Sequence, residues 1–365
     1  MHYLMNKDIV VLEIETQKVY NEIYMPKGLQ GLKLDNTNIK DWITDRALPI
    51  TRKNADKIYQ AMTLPRENSE IALMFLTHSL SINDNYWIAD SNEIGKIRYK
   101  DISIFNNSFN KAMYLLALKG EKKDTFTITD KNISPEYTGQ GNYPKCFVRE
   151  SDGIYIYKNS SNKKMFNEIL SSNIAQILQL KTAVYNLAKI DELICTKSKI
   201  ISNEKVNWET AASLIEHFRY TREDNCISPQ EYAIKYITLD ICNMAIFDAI
   251  VLNDDRHMKN WSFEYDSNAN KLLGLAPSFD YNGTFEALPG TQSLLIFDAN
   301  KRVGILKAAR IAYRDYGTTL NFNNLINYLD SYDLRINKTA MKNRILYITG
   351  QKSNQRDCYE NSIIY

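Results

Sequence analysis

One stretch limits what this 365-residue chain can become more than any other: an apolar pattern over residues 229–252 that stops abruptly at Asn253-Asp254-Asp255. Apolar residues at helical spacing over that length predict one long helix, buried on most of its surface. The polar end puts a carboxylate at the exit of a core element. The chain then reads Arg256-His257-Met258-Lys259-Asn260, two strand patterns at 261–265 and 271–275, and Ala276-Pro277-Ser278-Phe279-Asp280. A hairpin of that size reverses direction, so Asp280 returns toward Asp255. Helical patterns at 303–312, 322–329 and 338–348 complete the chain.

Upstream, alternating apolar residues predict strands at 146–149 and 154–158, joined by a turn at Glu150-Ser151-Asp152-Gly153. A helix is expected over 164–180, where Phe166, Ile169, Leu170, Ile174, Ile177 and Leu178 share one face, and strands at 184–187 and 193–199 follow. Strands first and helices afterwards predict a two-lobed α+β unit. A polar break around 119–131, after the helix-like run 109–118, separates it from an N-terminal α+β accessory region. The expected division is 1–125 and 126–365, with a strand-rich lobe over 126–205 and a helical lobe over 206–365. The accessory region has a strand at 9–14, helical patterns at 54–64 and 70–80, and no catalytic cluster. It is the natural place for docking or substrate choice; the aromatic pair Tyr86-Trp87 reads first as core.

Composition removes several classes. Hydrophobic residues make up 44% and charged residues 24%, which excludes a disordered or collagen-like chain. Lys and Arg number 45 against 43 Asp and Glu, so no net field draws the chain to nucleic acid or a membrane, and neither is expected to bind directly. The five cysteines, Cys146, Cys195, Cys226, Cys242 and Cys358, are odd in number and contain no C-x-x-C, which fits neither a disulfide framework nor a structural zinc site. Charges at Lys7, Asp8, Glu13 and Glu15 interrupt the first thirty residues, and apolar runs fall short of the roughly 20 residues a bilayer requires, so a cytoplasmic location is expected.

Phosphoryl transfer needs a carboxylate aimed at the attacking hydroxyl and oxygen ligands for magnesium near the phosphates. Asp255 with Asn260 five residues on supplies both from one loop, and Asp280 adds a second acid. The chemistry also needs a glycine-bearing loop, a lysine on a following strand and a helix glutamate to hold that lysine. Thr138-Gly139-Gln140-Gly141-Asn142-Tyr143-Pro144-Lys145, then Lys158, then Glu168 occur in that order. Taken singly, each has a plainer role as helix stop, hairpin turn or solvated charge. Their joint order gives the reading its weight. A G-x-S-x-G elbow, a Walker A loop and a dinucleotide fingerprint are absent from the sequence.

Residues 138–282 resemble the HipA-like serine/threonine kinases of bacteria, through the glycine loop ending at Lys145, the strand 154–158, the helix near Glu168, Asn253 to Asn260, and Ala276 to Asp280. The resemblance implies a two-lobed protein-kinase-like fold, with ATP and Mg2+ between the lobes. It makes Asp255 the catalytic base, Asn260 and Asp280 the metal ligands, Lys158 the phosphate-contacting lysine and Glu168 its partner. Thr138, Gly139, Gly141 and Lys145 would belong to the nucleotide loop, and His257 would shape the catalytic loop or neutralise phosphate. Family members also phosphorylate a hydroxyl residue in their own glycine loop; Thr138 best matches it, although the family usually has Ser there and Gln in place of Tyr143. The resemblance further implies a protein substrate with a Ser/Thr acceptor, a toxin-like role and a small DNA-binding antitoxin-like partner. The D-R-H-x-x-N string is shared with phosphoinositide-type lipid kinases, so a lipid or small-molecule kinase stays open, as does a nucleotide-binding pseudokinase regulator.

Overall fold

The computed structural model describes residues 1–64, 68–121, 134–297, 302–332, 336–351 and 355–359. The expected boundary at 125/126 and the Lys122-Lys123-Asp124 part of the polar break lie outside the described residues. The N-terminal region forms an antiparallel sheet of β1 (His2–Asn6), β2 (Ile9–Glu13), β3 (Lys18–Val19) and β4 (Tyr86–Asp90), in the order β3-β2-β1-β4. With it go α1 (Asn36–Thr44), α2 (Ala55–Ala61), α3 (Ser69–Leu76), the single turn α4 (Tyr99–Ile102) and α5 (Lys111–Lys119). Asp35 starts α1 with a reciprocal cap: its carboxylate accepts from the Thr37 and Asn38 amides while the Asn38 side chain accepts from the Asp35 amide. Leu4, Leu12, Ile43, Ile58, Leu73 and Tyr86 close one core over the sheet. Trp87 lies on the other face among Met5, Tyr99, Phe147 and Ile154, and its ring N–H donates to the Lys7 carbonyl at 2.7 Å. Both aromatics are therefore core, and Trp87 packs the accessory region onto the next sheet.

That sheet has the order β5-β6-β8-β7, all antiparallel: β5 (Lys145–Glu150), β6 (Gly153–Lys158), β7 (Tyr185–Ile190) and β8 (Leu193–Lys199). Its register sets Lys145 opposite Lys158, and Lys158 opposite Thr196. Helix α6 (Asn162–Ile177), capped by the Ser161 hydroxyl, packs against β7 and β8.

The C-terminal part contains α7 (Ile215–Thr221), α8 (Pro229–Tyr236), α9 (Thr238–Ile250), α10 (Ile305–Tyr316), α11 (Phe322–Ser331) and α12 (Lys338–Ile348), with a sheet of β9 (Val206–Thr210), β10 (Ser262–Asp266) and β11 (Leu272–Leu275) in the order β11-β10-β9. The single long helix expected over 229–252 is two, because Ile237 leaves helical geometry at φ −137° and ψ 45°. Every residue of α9 from Ile241 to Ile250 is buried, and α8, α10 and α12 surround it. A helix apolar on all sides must be central.

Strand β9 has no counterpart in the expected pattern because its inward residues are polar. Asn207 and Glu209 are its buried positions. Asn207 Oδ1 accepts from the Asn85 amide at 3.0 Å and side chain at 2.7 Å, and Glu209 accepts from the Lys27 amide at 2.5 Å and the Gly28 amide at 2.9 Å. These bonds fasten the accessory region to the helical lobe.

Burial pushes the Glu209 carboxyl up to about 7, against the pull of the two amides. A carboxyl raised on folding stabilises the folded state most below its ordinary 4.5, and that contribution is lost as pH rises through about 7. Urea unfolding across about pH 4.5–8 should therefore show a fall in stability on the order of 3 kcal/mol from this group, and Glu209→Gln should flatten that fall.

Candidate active site

Lys158 ends β6 with its side chain on the sheet face that α6 covers. Glu168, one and a half turns into α6, is fully buried and reaches the Lys158 ammonium at 2.6 Å. Asp280 reaches the same ammonium at 2.8 Å from the other lobe. Thr196 on β8 donates to the second Glu168 oxygen at 2.9 Å, and the Tyr143 ring of the glycine loop stands 5.2 Å from the ammonium. Burial alone would lower the lysine's pKa, but Asp280 and Glu168 reverse this and hold it above its ordinary value. Burial likewise works to raise the Asp280 carboxyl; Lys158 beside it prevails and holds it below the usual carboxylate range. Lys158 and Asp280 thus hold each other in their charged forms.

Asp280 has φ +56°, in the left-handed region that a non-glycine residue adopts at a strain of about 1–3 kcal/mol. Its amide donates to the Tyr185 hydroxyl at 3.2 Å, and Asn282 donates to Asp280 Oδ1 at 2.6 Å. The next residue, Gly283, lies against the Asp255 loop so closely that a Cβ there would fall 2.7 Å from Asp255 Cβ. Only glycine lets the two chain segments meet.

Arg256 organises that loop from below. Its guanidinium forks onto Asp248 of α9 with two 3.0 Å bonds, and Nη1 donates both to the Asn260 carbonyl at 2.7 Å and to the Phe279 carbonyl at 3.0 Å. One nitrogen thus joins the chain at Asn260 to the chain entering Asp280. Asn253 assists by donating to Asp248 at 2.8 Å and accepting from the Asp255 amide at 3.2 Å. Above this frame, Asn260 Nδ2 donates to the Asp255 carbonyl at 2.8 Å, which leaves Oδ1 as its acceptor. The Asp255 carboxylate is 42% exposed, and burial followed by Asp280 raises its pKa against the opposing effect of His257. His257 Nδ1 accepts from the Lys259 amide at 3.2 Å, so the neutral ring carries its proton on Nε2, 3.6 Å from Asp255 Oδ1.

The glycine loop is adjacent. Gly141 has φ +88°, and a Cβ there would meet the Lys145 ammonium at 2.8 Å. The Lys145 ammonium donates to the Gln140 carbonyl across the loop, and its pKa is lowered to about 7 by burial, with Lys158 and Arg52 adding to the effect. Thr138 closes the 3-10 turn Pro135–Thr138 and is buried, its hydroxyl against the Pro135 carbonyl at 3.5 Å. Lys158, Glu168 and Asp280 are thus linked in one cluster, with Lys145 opposite Lys158 in the sheet; Asp255, His257 and Asn260 share the neighbouring loop; Thr138 faces inward. Sequence reasoning did not assign Asn282, Gly283, Thr196, Asp248 or the clamping role of Arg256. A glycine three residues after a presumed metal-binding Asp was the one available signal.

Asp255, Asp280 and the Asn260 amide oxygen are hard oxygen donors, which suits Mg2+ better than zinc or copper. Among the described residues no group of three His, Cys, Asp and Glu side chains is arranged to hold a metal. A magnesium held by one or two carboxylates and completed by phosphates and water does not need one. Among the described residues no helix is long and apolar enough to cross a membrane.

The fold has a structural counterpart. HipA of Shewanella oneidensis MR-1, solved as a toxin-antitoxin complex with HipB and operator DNA, aligns over 98% of this chain and 94% of its own, with TM-score 0.53 and 12% identity. The chain has a HipA-like fold. The HipA-like architecture includes the N-terminal region, since the alignment runs nearly end to end. The Helicobacter pylori proinflammatory kinase CtkA aligns over 62% of this chain and 90% of its own, with 17% identity and TM-score 0.40. No protein-family model matches the sequence, and no curated protein matches it.

Arg256 and Asp248 are 3% and 5% exposed. Removing one member of a buried pair strands the other and costs about 3–5 kcal/mol. Arg256→Met should therefore lower stability by that amount in urea unfolding, whereas the exposed pair Arg219–Glu216 should tolerate Arg219→Met within about 1 kcal/mol.

Proposed function

We propose that the protein is an ATP- and magnesium-dependent kinase of the HipA-like type, acting on Ser or Thr of a protein substrate in the cytoplasm. The observation that carries this is the buried Lys158 ammonium held by Glu168 at 2.6 Å and by Asp280 at 2.8 Å. A charged lysine fixed in this way beside a glycine loop is what a triphosphate needs to be held in register.

In this reading Asp255 accepts the proton of the substrate hydroxyl as its oxygen attacks the terminal phosphorus; the bond from that phosphorus to the bridging oxygen breaks and ADP leaves. Its raised pKa brings it closer to the hydroxyl it assists. Arg256 holds the Asp255 loop and the Asp280 segment in fixed relation, so positioning and charge supply most of the acceleration. Asp280 and Asn260 would hold Mg2+, which offsets negative charge on the phosphates. Lys158 exchanges part of its contact with Asp280 for phosphate oxygen while Glu168 keeps it in place. A small DNA-binding partner, in the place that HipB takes in the Shewanella complex with operator DNA, belongs to the same proposal. So does phosphorylation of Thr138, which is 2% exposed and would require the loop to leave its seat.

The test is incubation of the purified protein with gamma-labelled ATP and a cell lysate. Labelled protein is expected, with Asp280→Asn and Asp255→Asn each lowering transfer at least about a hundredfold. Wild-type transfer by Asp280→Asn would overturn the site assignment. Label found only in lipids or small molecules would overturn the acceptor, and ATP binding without any transfer would mark a pseudokinase.

A further inference from the structure

The connection between α1 and α2 in the N-terminal region lies against both loops of the proposed nucleotide site. Its buried Arg52, 2% exposed, donates from Nη1 to the Gly139 carbonyl at 2.9 Å and from Nη2 to the Lys145 carbonyl at 2.8 Å. Those two carbonyls are the two ends of the glycine loop. Between them, Gln140 Nε2 donates back to the Asp45 carbonyl at 2.7 Å and the Ala47 carbonyl at 2.8 Å, and the Lys53 amide approaches the Asn142 carbonyl at 3.4 Å. Toward the other lobe, Asp45 reaches the Lys259 ammonium of the Asp255 loop at 3.6 Å.

We propose that Arg52 is a positioning residue for the nucleotide: by gripping both ends of the glycine loop, the N-terminal region sets the direction in which the loop presents its amides to phosphate. This deepens the kinase reading and rests on it. The argument is geometric. Carbonyl and N–H of a trans peptide point in opposite directions. With the Gly139 carbonyl turned onto Arg52 and the Asn142 carbonyl onto Lys53, the N–H groups of Gln140 and Tyr143 are turned away from residues 45–53. The first glycine of the loop fits the same arrangement, since a Cβ at Gly139 would fall 2.7 Å from Arg52 Nη1. The planar fork presents separate nitrogens to the two carbonyls in a fixed geometry, where a lysine offers a single nitrogen on a flexible stem. Burial acts first to lower the guanidinium's pKa, to about 10, and Glu136 opposes it, so Arg52 stays charged at neutral pH.

The full-length protein decides it, through equilibrium titration with a fluorescent ATP analogue in magnesium buffer, steady-state kinetics, and hydrogen exchange of residues 139–143 without nucleotide. Arg52→Gln should weaken nucleotide binding about tenfold, the loss expected for the surplus of one charge-assisted fork. It should raise KM for ATP in parallel, leave kcat at saturating ATP within about twofold, and speed exchange in the loop. Arg52→Lys, which keeps the charge and loses the fork, should fall between. Gln140→Ala, an exposed residue, gives a second reading if Arg52→Gln does not fold; it should weaken binding about threefold. Unchanged affinity and exchange in either folded variant would overturn the role of Arg52 while leaving the kinase reading intact. Failure of the unmodified protein to bind the nucleotide would overturn the kinase reading and this role with it.

Discussion

The molecule is built around one buried ammonium. Taking Lys158 out of water is unfavourable by several kcal/mol unless carboxylates and hydrogen bonds replace the lost hydration. Its partners come from two further elements, Glu168 from α6 and Asp280 from the segment after β11. Glu168 is itself fully buried and would be untenable without Lys158 and the Thr196 hydroxyl. Strand, helix and far lobe are therefore committed to each other by a single charge. The same commitment leaves the lysine ionised and oriented, which a phosphate-binding role would use.

Around that charge, a second buried cation fixes the chemistry-bearing loops. Arg256 receives its counter-charge from Asp248 in the central helix and spends its remaining donor capacity on main-chain carbonyls of Asn260 and Phe279. Backbone is thereby tied to backbone, and the side chains of Asp255, Asn260 and Asp280 project from a rigid base. The left-handed backbone at Asp280 persists because Tyr185, Asn282 and Lys158 all hold it.

What the sequence disclosed follows from which residues point inward. Strands β5, β6 and β8, apolar runs on either side of a turn or helix, were readable to within a residue or two; so were α11 and α12, whereas α10 runs four residues past its expected end. The order of Lys158, Glu168 and Asp280 pointed to the members of the ion cluster, and Asp255 and Asn260 to the neighbouring loop. Strand β9 was illegible for the opposite reason: its inward side chains, Asn207 and Glu209, serve contacts with residues 85, 27 and 28, far away in sequence. The break at Ile237 was hidden inside an unbroken apolar run. Arg52 was invisible because a lone arginine between two helices carries no pattern; its role exists only once Gly139 and Lys145 are brought to it. The N-terminal region, read as an accessory for docking, touches both loops of the site.

Strand β9 carries a mechanical consequence. The polypeptide that crosses between two lobes ordinarily serves as their hinge. Here the crossing strand is stitched to β10 along one side, while Trp208 donates its amide to the Asn83 carbonyl at 2.7 Å along the other. The connection before it, residues 200–205, is itself tied at both ends, by the Ile200 amide on the Ile154 carbonyl at 2.9 Å and by Ser267, which donates to the Glu204 carbonyl at 2.7 Å and the Lys205 carbonyl at 2.9 Å. The N-terminal sheet is meanwhile sealed to the β5–β6 hairpin through Trp87, Phe147 and Ile154. A third body thus bridges the two lobes, and any displacement of one lobe against the other must break contacts along one of its two seams.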